Sequence, residues 1–267
     1  MNEQTVRWII SRPWLQPIWE KGLKLCHAGM NVGGGHEIEN SGEQQTLHWY
    51  FTKINVQDNY CVFDVGASRG EFTNKVIALL ENKAKIFCFE PQNTCYEILT
   101  NKFSHYHNIS ILKFALSKEN KSGNIYFSSE GESIASLTPN ILIQNTGNAV
   151  RQEEIFIKTL DTFCMEKDIS VIDFLKIDVE GHEIDVLLGS QQMLSSGGIK
   201  CIQFEFGQTC LSTRIFMHDF FQLLSENYNL YRILKNGVFQ IKNYYYGLEI
   251  FKITNFLAIR KDMMHHR

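Results

Sequence analysis

From residue 60 onward, apolar runs of strand length alternate with stretches whose apolar residues recur at helical spacing. The runs are YCVFDV (60–65), KIFCFE (85–90), ISILKFAL (109–116), VIDFLKIDV (171–179), IKCIQFEF (199–206) and NFLAIR (255–260). Between them, TNKVIALLEN (73–82), CYEILTNKF (95–103), TLDTFCMEKD (159–168), HEIDVLLGSQQML (182–194) and IFMHDFFQLLSEN (215–227) read as helices. Strands that are apolar on both sides must be covered on both faces, and strand, helix, strand is the unit that does so. The alternation therefore predicts an α/β fold with a doubly wound, mostly parallel sheet. Residues 121–158 break the rhythm and read as a hairpin or paired strands inserted beside the ligand edge.

Residues 1–59 differ in character and form an N-terminal helical and Gly-rich appendage. QPIWEKGLKLCHAGM (16–30) spaces its apolar residues as one amphipathic helix, and Gly33, Gly34 and Gly35 then exclude a helix interior. That segment is either a linker or a lid. One domain over 60–267 is expected beside it. A chain of 267 residues with 44% hydrophobic residues is long enough to bury a substantial core. The tyrosine run 244–246 reads as packing rather than as a sugar-stacking surface.

Charge and cysteine usage narrow the setting. A net charge of -3 offers no basic field, which disfavours nucleic acid as partner. Seven cysteines are an odd number, none forms a C-x-x-C pair, and three sit at or in apolar runs, so a reducing compartment fits. No run approaches the ~18–20 apolar residues of a transmembrane segment, and the first 30 residues lack the continuous core of a signal peptide. A cytoplasmic protein is expected.

In such a sheet, ligands bind at the carboxyl ends of the strands. The loop after the first strand is Gly66-Ala67-Ser68-Arg69-Gly70. A dinucleotide fingerprint, G-x-G-x-x-G, would want glycine where Ser68 and Glu71 stand, and the loop lacks the lysine and serine or threonine of a phosphate-binding loop. The second strand ends in Glu90, 24 residues after Gly66, where a carboxylate reaches two ribose hydroxyls. Ribose recognition without phosphate machinery points to an adenosine ligand with a different tail. S-adenosylmethionine fits, and Asp64 with the loop backbone would help hold its amino-acid end.

VFDVGASRGEF, FCFEPQ, FALS, TLDTF, FLKIDVEGHEIDVLLGS and IQFEFG resemble, in order and spacing, the FkbM-type S-adenosylmethionine-dependent methyltransferases. KIDVEGHE is the most distinctive block. Ser68 and Arg69 depart from the residues that the family often carries there. The resemblance implies a Rossmann-like class I methyltransferase fold with a seven-stranded sheet, and O-methylation of a glycan or other small-molecule hydroxyl. It implies further that Asp64, Gly66, Ala67 and Gly70 line the methionine end, Glu90 the ribose, and Ala115 and Leu116 the adenine. MNVGGGHEIENSGE (30–43) is similar to the leader of one FkbM subgroup.

Methyl transfer to an alcohol needs alignment and a base for the proton. In FLKIDVEGHE, strand alternation puts Phe174, Lys176 and Asp178 on one face, and Asp178 reaches the active edge. Glu180 and His182 follow in the turn and are alternatives for the base. Lys176 reads as the ion-pair partner of Asp64 or Asp178, because unpaired burial of its charge is costly. Glu205 ends its strand between two phenylalanines, either as a base with a raised pKa or as a partner of Lys176. Asp178, Glu180 and Glu205 carry hard oxygen ligands, but their spacing assigns no metal. The competing readings are a methyltransferase-like module without catalysis and a nicotinamide oxidoreductase, the latter disfavoured by the incomplete fingerprint.

Overall fold

The computed structural model describes residues 3–34, 41–128, 135–139 and 150–264. Gly35 of the glycine triplet and part of the 121–158 insertion lie outside them. Its centre is a sheet built on β1 (Tyr60–Val65), β2 (Ala84–Phe89), β3 (Ile109–Leu112), β8 (Phe174–Ile177) and β9 (Cys201–Phe206). These five are parallel, and β1 lies between β2 and β8. β12 (Thr254–Arg260) inserts antiparallel between β9 and β10 (Tyr228–Leu234), and β11 (Gly237–Ile241) folds back on β10. The spatial order is β11-β10-β12-β9-β8-β1-β2-β3. The sheet thus has eight strands, one more than expected, because the chain turns at Lys235 and Asn236 to add an edge hairpin.

Alternation along the central strands feeds two cores, one on each face. Phe63, Val65, Leu175, Ile177, Phe204 and Phe206 pack on one side; Val62, Phe174, Cys201 and Leu257 pack on the other. On the first, Phe163 of helix α6 (Leu160–Glu166) meets the rings of Phe63, Phe87 and Phe89 at centroid distances of 5.7, 5.5 and 5.0 Å. Truncating so enclosed a ring costs ~3–5 kcal/mol. On the second, α3 (Glu43–Trp49) and the turn after it bury Leu47, Tyr50 and Phe51 against Phe174. Leu47, Tyr50 and Phe51, from the stretch expected as an appendage, thus pack within this second core.

Two apolar runs divide where the sequence suggests continuity. Residues 109–116 split into β3 and β4 (Ala115–Leu116), and β4 leaves for a second sheet, where it pairs with Ile157 and Lys158 of β7 (Arg151–Lys158). That sheet has the order β4-β7-β5-β6, with β5 at Lys121–Phe127 and β6 at Ala135–Ser136. The helix expected over 182–194 breaks into α7 (Glu183–Leu188) and α8 (Gln191–Ser195). At the break a Cβ on Gly189 would stand 2.1 Å from the Ser117 carbonyl oxygen, and Asp161 accepts the Gln192 and Met193 backbone N–H groups at the start of α8. Of the tyrosine run, Tyr244 packs on His218 and Phe221, whereas Tyr245 and Tyr246 are exposed.

Candidate active site

The carboxyl ends of β1, β2 and β8 converge on one cleft, and three turns build it. After β1, the Gly66 and Ala67 N–H groups both donate to the Phe89 carbonyl, drawing the loop across the end of β2. Gly66 adopts φ 79°, and a Cβ there would lie 1.8 Å from the Asp178 carbonyl oxygen. Glycine is required at that crossing. Gly70 is left-handed at φ 74° and faces Leu99 of α5 (Asn93–Lys102) and Phe103 just after it, so it packs the start of α4 (Glu71–Leu80) rather than facing the cleft.

Glu90, just past β2, is buried, and its two carboxylate oxygens accept the Ser68 and Gln92 N–H groups at 2.8 and 2.9 Å. Burial pushes its carboxyl up to about 7, against the pull of those two amides. The third turn, Asp178 to His182, is held from several sides. The Asp178 N–H donates to Val65, and its carboxylate takes an ion pair from buried Lys176 at 2.8 Å. Lys176 also lies in register with Asp64 on β1. Glu183 folds back to accept the Val179 and Gly181 N–H groups at 3.0 and 3.2 Å. Glu180 has φ 54°, and the Ser136 hydroxyl donates to its carbonyl at 2.9 Å. A non-glycine residue in that region stores strain of ~1–3 kcal/mol, a frequent property of functional turns. His182 is fixed at both ring nitrogens, Nδ1 against Asp185 at 3.0 Å and Nε2 against the Thr138 hydroxyl at 2.9 Å.

One cleft lies between these turns. It brings together Gly66, Glu90, Ala115, Leu116, Asp178, Glu180 and His182. Phe89, Ile125, Ala135, Leu137 and Val179 supply apolar walls. Asp64, Ala67, Gly70 and Glu205 do not line it. Asp64, on β1, is buried away from the cleft; Thr73 donates to one of its oxygens at 2.7 Å while the other has no hydrogen-bond partner. Ala67 is buried in the second core. The second sheet delivers Ile125, Ala135, Leu137, Ser136 and Thr138, and no motif spacing marks these residues in the sequence.

Electrostatically, the turn gathers acids around one lysine. Burial, then Asp178 and Glu183, push Glu180 up to about 8; burial also pushes Glu183 up to about 7. Burial and the same acids drive Glu205 well above the usual carboxylate range. Glu43, at the start of α3, adds a buried carboxylate that takes Lys75 at 2.9 Å and the Gln203 amide at 2.6 Å. Among the described residues, no group of three His, Cys, Asp or Glu side chains is arranged for a metal ion.

The family model described as the methyltransferase FkbM domain matches residues 64–232, which contain Asp64, the glycine loop, Glu90 and the whole Asp178–His182 turn. The chain belongs to the FkbM methyltransferase family. A curated relative, the hexuronic acid methyltransferase AglP of Haloferax volcanii, is 26% identical over 170 residues, 62% of this chain. The chain spans 64% of that relative's length. An FkbM methyltransferase from Methylobacillus flagellatus KT superposes with a TM-score of 0.47 at 15% identity, covering 80% of this chain and 48% of the other. The METTL16 methyltransferase domain gives 0.44 at 11% identity, covering 80% and 65%. At these scores the two structures add nothing to the strand order described above.

Proposed function

We propose that this FkbM-family chain is an S-adenosylmethionine-dependent O-methyltransferase acting on a sugar or other small-molecule hydroxyl. The observation that carries it is the single cleft with Glu90 and the glycine loop on one wall and the desolvated Glu180 on the other. The residues fit the cofactor. Glu90 keeps unshared lone pairs for ribose hydroxyls beyond the two amides it accepts. Ala115, Leu116 and Leu137 form an apolar slot for a purine, and the backbone of Gly66 faces the remaining tail. When bound there, the cofactor would supply an electrophilic methyl group on a sulfonium.

The chain's own part is to place a hydroxyl and take its proton. Glu180, poised near 8, has a proton affinity matched to a base working near neutral pH. Ser136 holds its carbonyl, Glu183 holds the amides on either side of it, and Lys176 fixes the neighbouring Asp178 carboxylate. His182, with both nitrogens engaged, serves better to orient the turn than to accept a proton. A non-catalytic binding module would gain nothing from such a costly cluster of buried acids, and strongly shifted carboxyls in a cleft favour chemistry. Purified protein incubated with labelled S-adenosylmethionine and a panel of sugars, with a hexuronic acid among them, should give a labelled methyl ether. Cofactor binding without transfer to any hydroxylated acceptor would favour the module.

A further inference from the structure

The N-terminal arm shows its apolar side to solvent. It consists of α1 (Glu3–Ile10) and α2 (Gln16–Gly29), tied together where the Trp19 indole donates to the Ile10 carbonyl at 2.8 Å. Trp8, Trp14, Ile18, Leu23 and Leu25 are 55–75% exposed, and Trp19 is 46% exposed. At ~3.6 residues per turn, Ile18, Trp19, Leu23, Leu25 and Cys26 fall on one arc of α2, and Glu20, Lys21, Lys24 and His27 on the other. His27 is the one buried residue of α2, held by Lys252 at 2.9 Å. His27 anchors α2 to the body, while its apolar arc and the flanking Glu20, Lys21 and Lys24 are exposed.

Three of the protein's four tryptophans lie on this arm. Arg7, Arg12, Lys21 and Lys24 against Glu3 and Glu20 give residues 1–34 a charge of +2, whereas the whole chain carries -3. Exposed aromatic and aliphatic side chains flanked by lysine and arginine on an otherwise acidic protein match the interface of an anionic bilayer. Pairing with the arm of a second copy would instead oppose these four cations to themselves. With 14 residues, α2 spans ~21 Å, less than the ~30 Å hydrocarbon core, so it suits lying in the surface plane. No helix among the described residues is long and apolar enough to cross a membrane.

We propose that α1 and α2 form a docking surface for a membrane rich in anionic phospholipid. The arm joins the body at the carboxyl end of β9. The Gly33 N–H donates to Ile253, against which Gly207, two residues past Glu205, packs directly. Docking thus brings the carboxyl edge of the sheet to the lipid surface, and it is independent of which reaction the cleft performs.

Flotation of the whole protein with vesicles of phosphatidylcholine alone, and of phosphatidylcholine mixed with phosphatidylglycerol, tests this. Binding is expected with the mixed vesicles, weakened by salt, with a blue shift of tryptophan emission. The paired substitutions Trp19→Glu and Leu25→Glu should weaken it at least ~10-fold, with melting temperature and cofactor titration unchanged. Lys21→Glu with Lys24→Glu should weaken it on anionic vesicles only. Absence of wild-type binding would overturn the proposal, as would unchanged binding by the Trp19/Leu25 variant. A dimer in sedimentation velocity that the Trp19/Leu25 variant dissociates would also overturn it, giving the surface to a second copy.

Discussion

Replacing Glu180 by glutamine should make the protein more stable and less active, and the gain should depend on pH. Burial and the acids Asp178 and Glu183 raise this carboxyl from 4.5 to about 8. A raised carboxyl favours the fold while protonated. Its contribution is complete below about 4.5 and is lost as pH climbs through about 8. Each pKa unit is worth ~1.4 kcal/mol. Because neighbouring acids share the shift, on the order of 2–4 kcal/mol belongs to Glu180 at pH 8.5. Glutamine keeps the shape without the charge, so the variant should melt ~4–12 °C above wild type at pH 8.5 and nearly level with it at pH 5. Methyl transfer should fall by ~10²–10⁴-fold, the usual worth of a positioned base. Differential scanning calorimetry from pH 5 to 8.5, beside a labelled-methyl assay, reads both. Equal melting at every pH would refute the buried-charge argument, and full turnover would remove Glu180 as the base.

Glu90→Gln should weaken S-adenosylmethionine binding ~10–100-fold by calorimetry, since an amide replaces an acceptor of charge-assisted hydrogen bonds worth ~1.5–3 kcal/mol. In the wild type, affinity should rise between pH 6 and 8 as Glu90 ionises near 7; a flat profile would detach that carboxylate from the ligand. Lys176→Met leaves Asp64 and Asp178 without their cation, and the loss of one partner from a buried pair costs ~3–5 kcal/mol, measurable by urea denaturation. Gly66→Ala forces a Cβ into the Asp178 carbonyl at positive φ. It should destabilise the fold by more than ~2 kcal/mol, and an unchanged urea midpoint would contradict that crossing.

Local pattern carried the central strands. YCVFDV, KIFCFE and IQFEF are apolar on both faces and became β1, β2 and β9, because a strand buried on both sides has no other composition available. Lys176 announced its ion pair for the same reason: a cation inside such a strand must find an acid, and Asp178 supplies it. Contacts distant in sequence were hidden. ISILKFAL reads as one strand because the exit at Lys113 is set by pairing with Ile157 and Lys158, not by residues 109–116 themselves. The Gly189 break answers to Ser117, some seventy residues earlier in the chain. Of the site, Glu90, Asp178, Glu180 and His182 were legible from motif and strand end. Ser136 and Thr138 were not, since hydroxyls in a polar insertion carry no spacing signal. Gly70 and Asp64 share the glycine loop's motif, yet one packs on Leu99 and Phe103 and the other on Thr73, away from the cleft.

The crystal structure of the protein grown with S-adenosylhomocysteine tests most directly whether this cleft is an adenosyl site. Density is expected with both ribose hydroxyls on Glu90, adenine between Ala115 and Leu137, and sulfur facing the Asp178–His182 turn. The ligand elsewhere, or a cleft closed to it while NAD binds in solution, would contradict the assignment.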